Sequence, residues 1–212
     1  MSRPTDVRVV AARLYFLPVQ TRVPLKFGTE TLTAVTLARA CVTVEDRHGK
    51  RAEGWGETPL SVQWVWPSAL PYTLRHEMLK RCTHHLAEEI VRADFSGHAF
   101  EIGVDWQEHL LPKLLTAFNR GASEPMPLLA ALVCLSLFDL ALHDAFGQVH
   151  QRPSYSTYTG EFMSRDLGDL LVPAGDASAT VQFAKKFPTD FLVANPPRSL
   201  LAWHLVDRKS VV

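Results

Sequence analysis

The chain has 212 residues, of which 47% are apolar and 21% are charged. This balance is typical of a folded globular protein with one full domain and some additional chain, and it excludes a disordered or collagen-like sequence. Lys and Arg together number 22, as do Asp and Glu, so the chain lacks the positive excess typical of proteins that bind nucleic acid or anionic membranes.

Cysteine usage and the N-terminal residues indicate a reducing, cytoplasmic environment. Cys41, Cys82 and Cys134 are odd in number and widely spaced, which fits neither a disulfide framework nor a paired-cysteine zinc site. The first residues contain no apolar stretch of the signal-peptide type. Residues 128–146 form the most apolar segment, but polar and charged residues interrupt it, so we predict a core helix rather than a membrane span.

Three segments in the first part of the chain alternate between apolar and polar side chains, as strands do. They are residues 7–17, 32–45 and 51–57, and a glycine-containing turn at 46–50 joins the last two. Residues 18–28 contain Pro18, Pro24 and Gly28 and are predicted to be a loop. The three segments together predict an antiparallel meander.

The pattern then changes to helical spacing. A predicted loop at 58–71 contains three prolines and two tryptophans, Trp64 and Trp66, that are expected to be exposed. Apolar residues at helical intervals predict amphipathic helices at 73–93 and 105–119. A third, buried helix is predicted over 127–147, with Pro127 in its first turn and Gly147 as its C-terminal cap.

Two stretches carry a resemblance to a known family. The third strand ends in Gly54-Trp55-Gly56-Glu57-Thr58-Pro59, and the buried helix contains Ser136-Leu137-Phe138-Asp139-Leu140-Ala141-Leu142-His143-Asp144-Ala145-Phe146-Gly147. Their order and spacing resemble the N-terminal capping domain of the enolase superfamily, mandelate racemase/muconate-lactonizing branch. Over residues 7–150 the resemblance implies an α+β fold, a three-stranded antiparallel meander followed by a three-helix bundle, and it predicts a capping domain at 1–152.

The resemblance also implies a chemistry that the cap alone does not perform. In that family a TIM barrel beneath the cap uses a Lys or His base to remove the proton α to a carboxylate, and Mg²⁺ stabilises the enediolate. A barrel needs about 250 residues, whereas 60 residues follow position 152. We therefore expect an inactive, truncated relative of a Mg-dependent lyase, racemase or cycloisomerase, with no metal ligand or cofactor of its own. The intact enzyme would bind a small carboxylate substrate, and its assembly into a homo-oligomer is compatible with the resemblance.

Two loops of the family's cap close over the barrel mouth and help to select the substrate. By resemblance these loops are about residues 20–30 and 58–67, which makes Lys26, Phe27, Trp64 and Trp66 candidate substrate contacts. Loop tryptophans beside prolines also commonly pack on their own domain or on a partner. A second hypothesis is therefore a self-standing α+β binding module that grips a partner with the Trp-rich loop.

The C-terminal part of the chain is punctuated by proline and glycine and is predicted to be a connector, 153–199, with short helical stretches near 179–186. Residues 200–206 have the composition of a buried strand without a partner, and the resemblance assigns them to a stub of the first barrel strand. Residues 207–212 can be encoded by GAT CGG AAG AGC GTC GTG, the string of a common sequencing adapter. We expect this tail to be non-native and the gene to be truncated.

Several polar groups invite a catalytic or metal-site interpretation. His84 and His85 point about 100° apart on a helix, so they cannot both bind one metal without distortion. Asp139 and His143 lie four residues apart on the buried helix, with Ser136 on the same stripe. That spacing fits a catalytic dyad, but a buried polar pair that satisfies itself is commoner.

The remaining acidic residues are predicted to be structural. Glu57 lies beside two glycines, where one backbone can approach another closely, and Asp144 occupies a family position with an architectural role. Glu161, Asp166 and Asp169 fall in one local segment of the connector and are expected to be solvated charges.

Overall fold

A computed structural model describes residues 3–27, 30–175, 181–193 and 195–202. Four strands form one antiparallel sheet in the order β3-β2-β1-β4, with β1 Val7–Phe27, β2 Glu30–Asp46, β3 Arg51–Pro59 and β4 Ser96–Gly97. The helices are α1 Val62–Val65, α2 Tyr72–Arg92, α3 Ala99–Asp105, α4 Leu111–Phe118 and α5 Leu128–His150. The predicted α+β fold, a meander followed by helices, is confirmed, with β4 as an additional short strand.

The sheet and the helices share one core. In β2 the inward side chains are small or β-branched and fully buried, as the alternation predicts: Ala38, Ala40, Val42 and Val44. α5 packs on β2 and β3 with one face and on α2 and α3 with others. In the described part of the chain α5 alone is long and apolar enough to cross a membrane, and half of its most apolar window is buried inside the protein, which is the packing of a core helix.

The predicted loop at 18–28 is wrong for residues 18–27, because β1 continues through them to Phe27 and pairs with β2 as a long hairpin. Pro18 opposes Thr36, where no described strand lies on the other side of β1, since β4 pairs only with the start of β1. A proline without an N–H is tolerated at such an edge. Pro24 falls where the register breaks between Gln20 and Leu25. Residue 28 lies outside the described residues.

The second amphipathic helix begins earlier than predicted. His98 precedes Ala99 and accepts the Phe100 N–H, while the Glu101 carboxylate accepts the His98 N–H, which together form a capping box. A π-helical turn, Trp106–Leu110, then joins α3 to α4. The prediction that starts at residue 105 missed this N-terminus because histidine is an unusual capping residue.

The third helix also ends later than predicted. α5 runs three residues past Gly147 and stops at Gln151, whose φ of 54° is left-handed. Gly147 is therefore not the cap. A Cβ at Gly147 would lie 2.8 Å from the Arg152 carbonyl oxygen and 2.9 Å from Ser154 Oγ, so a glycine here allows the chain that follows α5 to fold back closely.

The predicted connector contains short 3₁₀ turns at Ser154–Thr157, Leu167–Asp169 and Pro188–Phe191, and the helical stretch predicted near 179–186 is absent over its described residues, 181–186. Its first part packs on the helices, since Thr157, Phe162 and Met163 are buried. Residues 200–202 form no strand. The rest of the predicted barrel strand, 203–206, and the tail 207–212 lie outside the described residues.

Candidate functional site

The four candidate substrate contacts occupy different environments. Lys26 is exposed in the β1–β2 hairpin, and the backbone of Phe27 pairs with Glu30, while the side chain of Phe27 lies outside the described residues. Trp64 in α1 is 59% exposed. Lys26 belongs to β1 and Trp64 to α1. Among the described residues, no hydrogen bond, ion pair or ring contact joins the two side chains.

Trp66 is not exposed, contrary to the expectation from its proline-rich surroundings. Its side chain is 2% exposed, and the indole Nε1–H donates to Glu124 Oε1 at 2.8 Å. The carbonyl oxygen of Trp66 accepts a hydrogen bond from the buried Arg75 side chain. Trp66 therefore fixes the segment after α1 to α2, and its ring offers no surface to a ligand in this conformation.

The two stretches that carry the family resemblance are in direct contact. β3 crosses α5 with Gly54 and Gly56 facing the helix backbone, and a Cβ on Gly54 would overlap the backbone of Ala141 and Ala145. A Cβ on Gly56 would overlap the Leu137 carbonyl oxygen and lie 2.6 Å from the Ala141 nitrogen. Only glycine allows this separation, which explains why two glycines alternate along the strand.

Polar contacts reinforce the junction between β3 and α5. Asp144 Oδ2 accepts the Trp55 N–H at 2.8 Å, so a helix carboxylate satisfies a backbone donor of the edge strand. Ser136 and Thr58 share a hydrogen bond of 2.7 Å between their hydroxyls. Glu57 pairs with Arg39 on the neighbouring strand at 2.7 Å. The Asp144 contact agrees with the architectural role predicted for Asp144, whereas Glu57 pairs within the sheet and not across the junction. Ser136 is brought to β3 instead of to Asp139.

Asp139 and His143 do meet, on the opposite side of α5, and a third residue joins them. Tyr158 Oη lies 2.8 Å from His143 Nδ1, while His143 Nε2 is 3.9 Å from Asp139 Oδ1. Burial holds the pKa of His143 below and that of Asp139 above its ordinary value, and it raises the pKa of Tyr158 to about 12. The imidazole and the phenol therefore both favour their neutral forms, and the tyrosine is no nucleophile at neutral pH.

A cavity of about 510 Å³ opens beside this cluster. α3 contributes Phe100 and Gly103 to its wall, α5 contributes Asp139 and His143, and the first 3₁₀ turn and the residue after it contribute tyrosines. The sequence prediction missed Tyr155 and Tyr158, because residues 153–199 were interpreted as a connector. The Tyr-Ser-Thr-Tyr spacing could have indicated an aromatic turn, although nothing in it points to α5.

Metal-ligating groups are dispersed in the part of the chain that the structure describes, where no three His, Cys, Asp or Glu side chains converge as an ion site. His84 and His85 are both exposed. Asp166 is more than a solvated charge: its carboxylate accepts backbone N–H groups of Gly168, Asp169 and Lys185. These hydrogen bonds, chiefly that from Lys185, lower the pKa of Asp166.

Neither a protein-family model nor a curated protein matches the chain. Among solved structures, the L-Ala-D/L-Glu epimerase from Bacillus subtilis is similar to it with a TM-score of 0.47 and 19% identity, over 72% of this chain and 34% of that one. A dipeptide epimerase from Enterococcus faecalis V583 has a TM-score of 0.43 and 13% identity, over 72% and 35%. A mandelate racemase/muconate lactonizing protein from Herpetosiphon aurantiacus has a TM-score of 0.34 and 16% identity, over 75% and 36%. The chain thus spans about a third of the length of these proteins.

Proposed function

We propose that the chain is the substrate-capping domain of an enolase-superfamily enzyme of the mandelate racemase/muconate-lactonizing branch. The intact enzyme would remove the proton α to a carboxylate in a Mg²⁺-dependent lyase, racemase or cycloisomerase reaction, on a barrel that lies outside this chain. By itself the chain is inactive in that reaction.

One observation carries the proposal. The motif at 54–59 and the motif at 136–147 lie about eighty residues apart in the sequence, yet they form a single junction in which Gly54 and Gly56 admit the α5 backbone. Asp144 from the second motif accepts the backbone N–H of Trp55 from the first. The residues that carry the resemblance are thus the residues that dock the meander on the helices, which is what a cap domain needs to be rigid.

Mg²⁺ prefers oxygen ligands in near-octahedral geometry, and the described residues do not fit such a site, since no three acidic or histidine side chains converge. We therefore assign the metal ligands and the base to residues outside the described part of the chain, and derive no catalytic step from this domain. Its contribution would be to cover the site and exclude water from it, which strengthens electrostatic stabilisation of the developing charge.

Substrate contact is proposed for three of the candidate residues. Lys26 lies exposed near the end of the β1–β2 hairpin, where an ammonium group suits a carboxylate substrate, and Phe27 adjoins it in sequence. Trp64 presents an exposed ring on the other segment. Trp66 instead supports that segment from within through Glu124 and Arg75, so its substitution would act through the position of Trp64.

The surroundings proposed for the chain follow its chemistry. Cys41, Cys82 and Cys134 are buried and unpaired, which suits a reducing compartment such as the cytoplasm. The chain has equal numbers of acidic and basic residues and so lacks the positive excess that suits nucleic acid or an anionic membrane. We therefore propose a small carboxylate as the partner of the intact enzyme, and neither nucleic acid nor a membrane. A homo-oligomer of that enzyme is compatible with the proposal.

The decisive experiment extends the chain. The source DNA is sequenced beyond codon 206, and an open frame that encodes a Lys-x-Lys followed by spaced Asp and Glu residues is expected. The extended protein is then assayed with Mg²⁺ against acid sugars and related carboxylates, beside the present chain as the inactive control. A genuine stop codon at that point, or turnover by the present chain itself, would contradict the proposal.

The cap loops are tested in the extended protein. Trp64→Ala should raise KM with a smaller effect on kcat, because contacts remote from the reacting atoms bind substrate and transition state alike. Trp55→Leu is the matched control, since Trp55 is 49% exposed but lies outside both loops. Equal kinetics for the two variants would remove Trp64 from the site.

The alternative function, a self-standing binding module, would depend on Trp64 without Trp66, because only the former ring is exposed. Solution behaviour distinguishes the two. A cap without its barrel should bind hydrophobic dyes and self-associate, since it leaves uncovered apolar surface. A binding module should be monodisperse and should bind no dye.

A further inference from the structure

The cavity between α3, α5 and the turn Ser154–Thr157 has the size and shape of a ligand site. Its volume of about 510 Å³ falls within the range of roughly 300–1,000 Å³ that small-molecule sites occupy. It serves no step of the proposed capping function. The chemistry of its wall decides which ligand it suits.

The wall presents a carboxylate that lacks a hydrogen-bond donor. The partner of Asp139 on α5 is His143, whose Nε2 lies 3.9 Å from Asp139 Oδ1, beyond hydrogen-bond length. No other group of the described residues donates to Asp139, and no Lys or Arg lines the cavity. Burial lowers the pKa of His143, which favours the neutral imidazole and reduces the counter-charge that it offers to Asp139.

Three aromatic rings form another part of the wall. Tyr155 and Tyr158 meet edge to face with centroids 5.6 Å apart and planes at 84°. Phe100 meets Tyr158 at 6.2 Å and 70°. All three rings line the cavity, and the face of an aromatic ring attracts an ammonium group that lies over it.

We propose that this cavity binds a small organic cation, an alkylammonium group held by the Asp139 carboxylate and by the faces of Phe100, Tyr155 and Tyr158. An anionic ligand would meet an unpaired carboxylate with no cationic side chain opposite it. A purely apolar ligand would leave Asp139 desolvated and unpaired, which is costly. A cation satisfies both the carboxylate and the rings.

The test uses the full chain and two probes, tetramethylammonium chloride and n-butylammonium chloride, in calorimetric titrations at neutral pH and constant ionic strength. Saturable binding of at least one probe is expected, with sodium chloride as the reference titrant. Asp139→Asn should weaken binding about tenfold or more, because a charge-assisted contact contributes roughly 1.5–3 kcal/mol. Absence of saturable binding by both probes would refute the proposal.

Tyr155→Leu keeps the test independent of folding, since Tyr155 is 71% exposed at the rim and its ring can be removed without opening the core. It should weaken binding about threefold or more, the loss of an exposed cation–π contact. Asp169→Asn and Tyr72→Leu change an acid and a ring outside the cavity and are the matched controls. Binding that Asp139→Asn and Tyr155→Leu leave unchanged, or that the controls weaken equally, would contradict the assignment.

Discussion

Helix α5 has two contrasting faces. Toward β3 it presents Leu137, Ala141 and Ala145, whose backbone atoms lie so close to Gly54 and Gly56 that no Cβ fits between strand and helix. On another side it presents Asp139 and His143, which line a cavity together with aromatic residues. The first face tolerates no added atom, whereas the second contains buried groups that titrate. Side-chain size should therefore decide how substitutions on the β3 face change stability, whereas protonation state should decide it on the cavity face.

The largest effect is expected where a methyl group is added to the first face. Gly54→Ala and Gly56→Ala should each lower the free energy of unfolding by about 3–5 kcal/mol, because the added Cβ overlaps helix backbone that cannot move as a side chain would. Urea unfolding followed by circular dichroism measures the difference.

Gly175→Ala is the control for the added methyl group, since a Cβ there would meet nothing within 4 Å. Its unfolding free energy should change by less than about 0.5 kcal/mol. If Gly54→Ala were as mild as Gly175→Ala, β3 and α5 would be separated by more space than the structure shows, and the junction would lose its role in the proposed function.

The second prediction concerns acid. His98 is buried beneath the turn that carries Thr157, with His143, His150 and Tyr158 around it, and burial lowers its pKa to about 3. The unfolded chain takes up a proton near the ordinary histidine pKa of about 6.5, while the folded one does not until about 3. Stability is therefore fully present above about pH 6.5 and is lost as pH falls toward 3, by about 3 kcal/mol at pH 4.

His98→Asn tests this directly, because asparagine still caps α3 but does not titrate. The variant should lose less stability between pH 7 and pH 4 than the parent chain, in urea unfolding at each pH. His84→Asn, an exposed histidine on α2, should leave the pH profile unchanged. The prediction fails if the His98→Asn profile remains as steep as that of the parent.

Much of the first face could be predicted from sequence. Alternation along β2 identified the buried side chains, and the apolar segment 128–146, interrupted by polar residues, identified a core helix. The extension of β1 could not be predicted in this way, because two prolines normally end a strand. The open edge beside Pro18 and the register break at Pro24 make them acceptable here. Edge position is a property of the assembled sheet and leaves no trace in the local sequence.

The second face was predicted only in part. Helical spacing placed Asp139 beside His143, but Tyr158 reaches His143 from beyond the end of α5. Phe100, which contacts Tyr158, lies in a helix turn that the predicted boundary omitted. The burial of Trp66 was likewise not predicted from its local sequence. Proline-rich surroundings favoured exposure, whereas Trp66 is held by Glu124, 58 residues away in sequence, and by Arg75, nine residues away on α2.

A smaller effect is expected at the polar rim of the β3–α5 junction. Asp144→Ala removes the acceptor of the Trp55 N–H and should lower the free energy of unfolding by about 1 kcal/mol, the net worth of one hydrogen bond at a partly exposed position. Asp144→Asn should recover most of the loss, since its amide oxygen can accept the same proton. If both variants were equally destabilised, the charge of Asp144 rather than its hydrogen bond would hold the strand.

The smallest effect is expected on the outer face of the sheet, where Arg39 Nε and Nη2 both approach one oxygen of Glu57. The two side chains are opposite each other in register, and each is nearly half exposed, so water and salt should screen the pair. A double-mutant cycle with Arg39→Met and Glu57→Gln should give a coupling below about 0.5 kcal/mol that falls further in 1 M salt. A salt-insensitive coupling above about 1.5 kcal/mol would instead require that water be excluded from this face, as it would be beneath a partner.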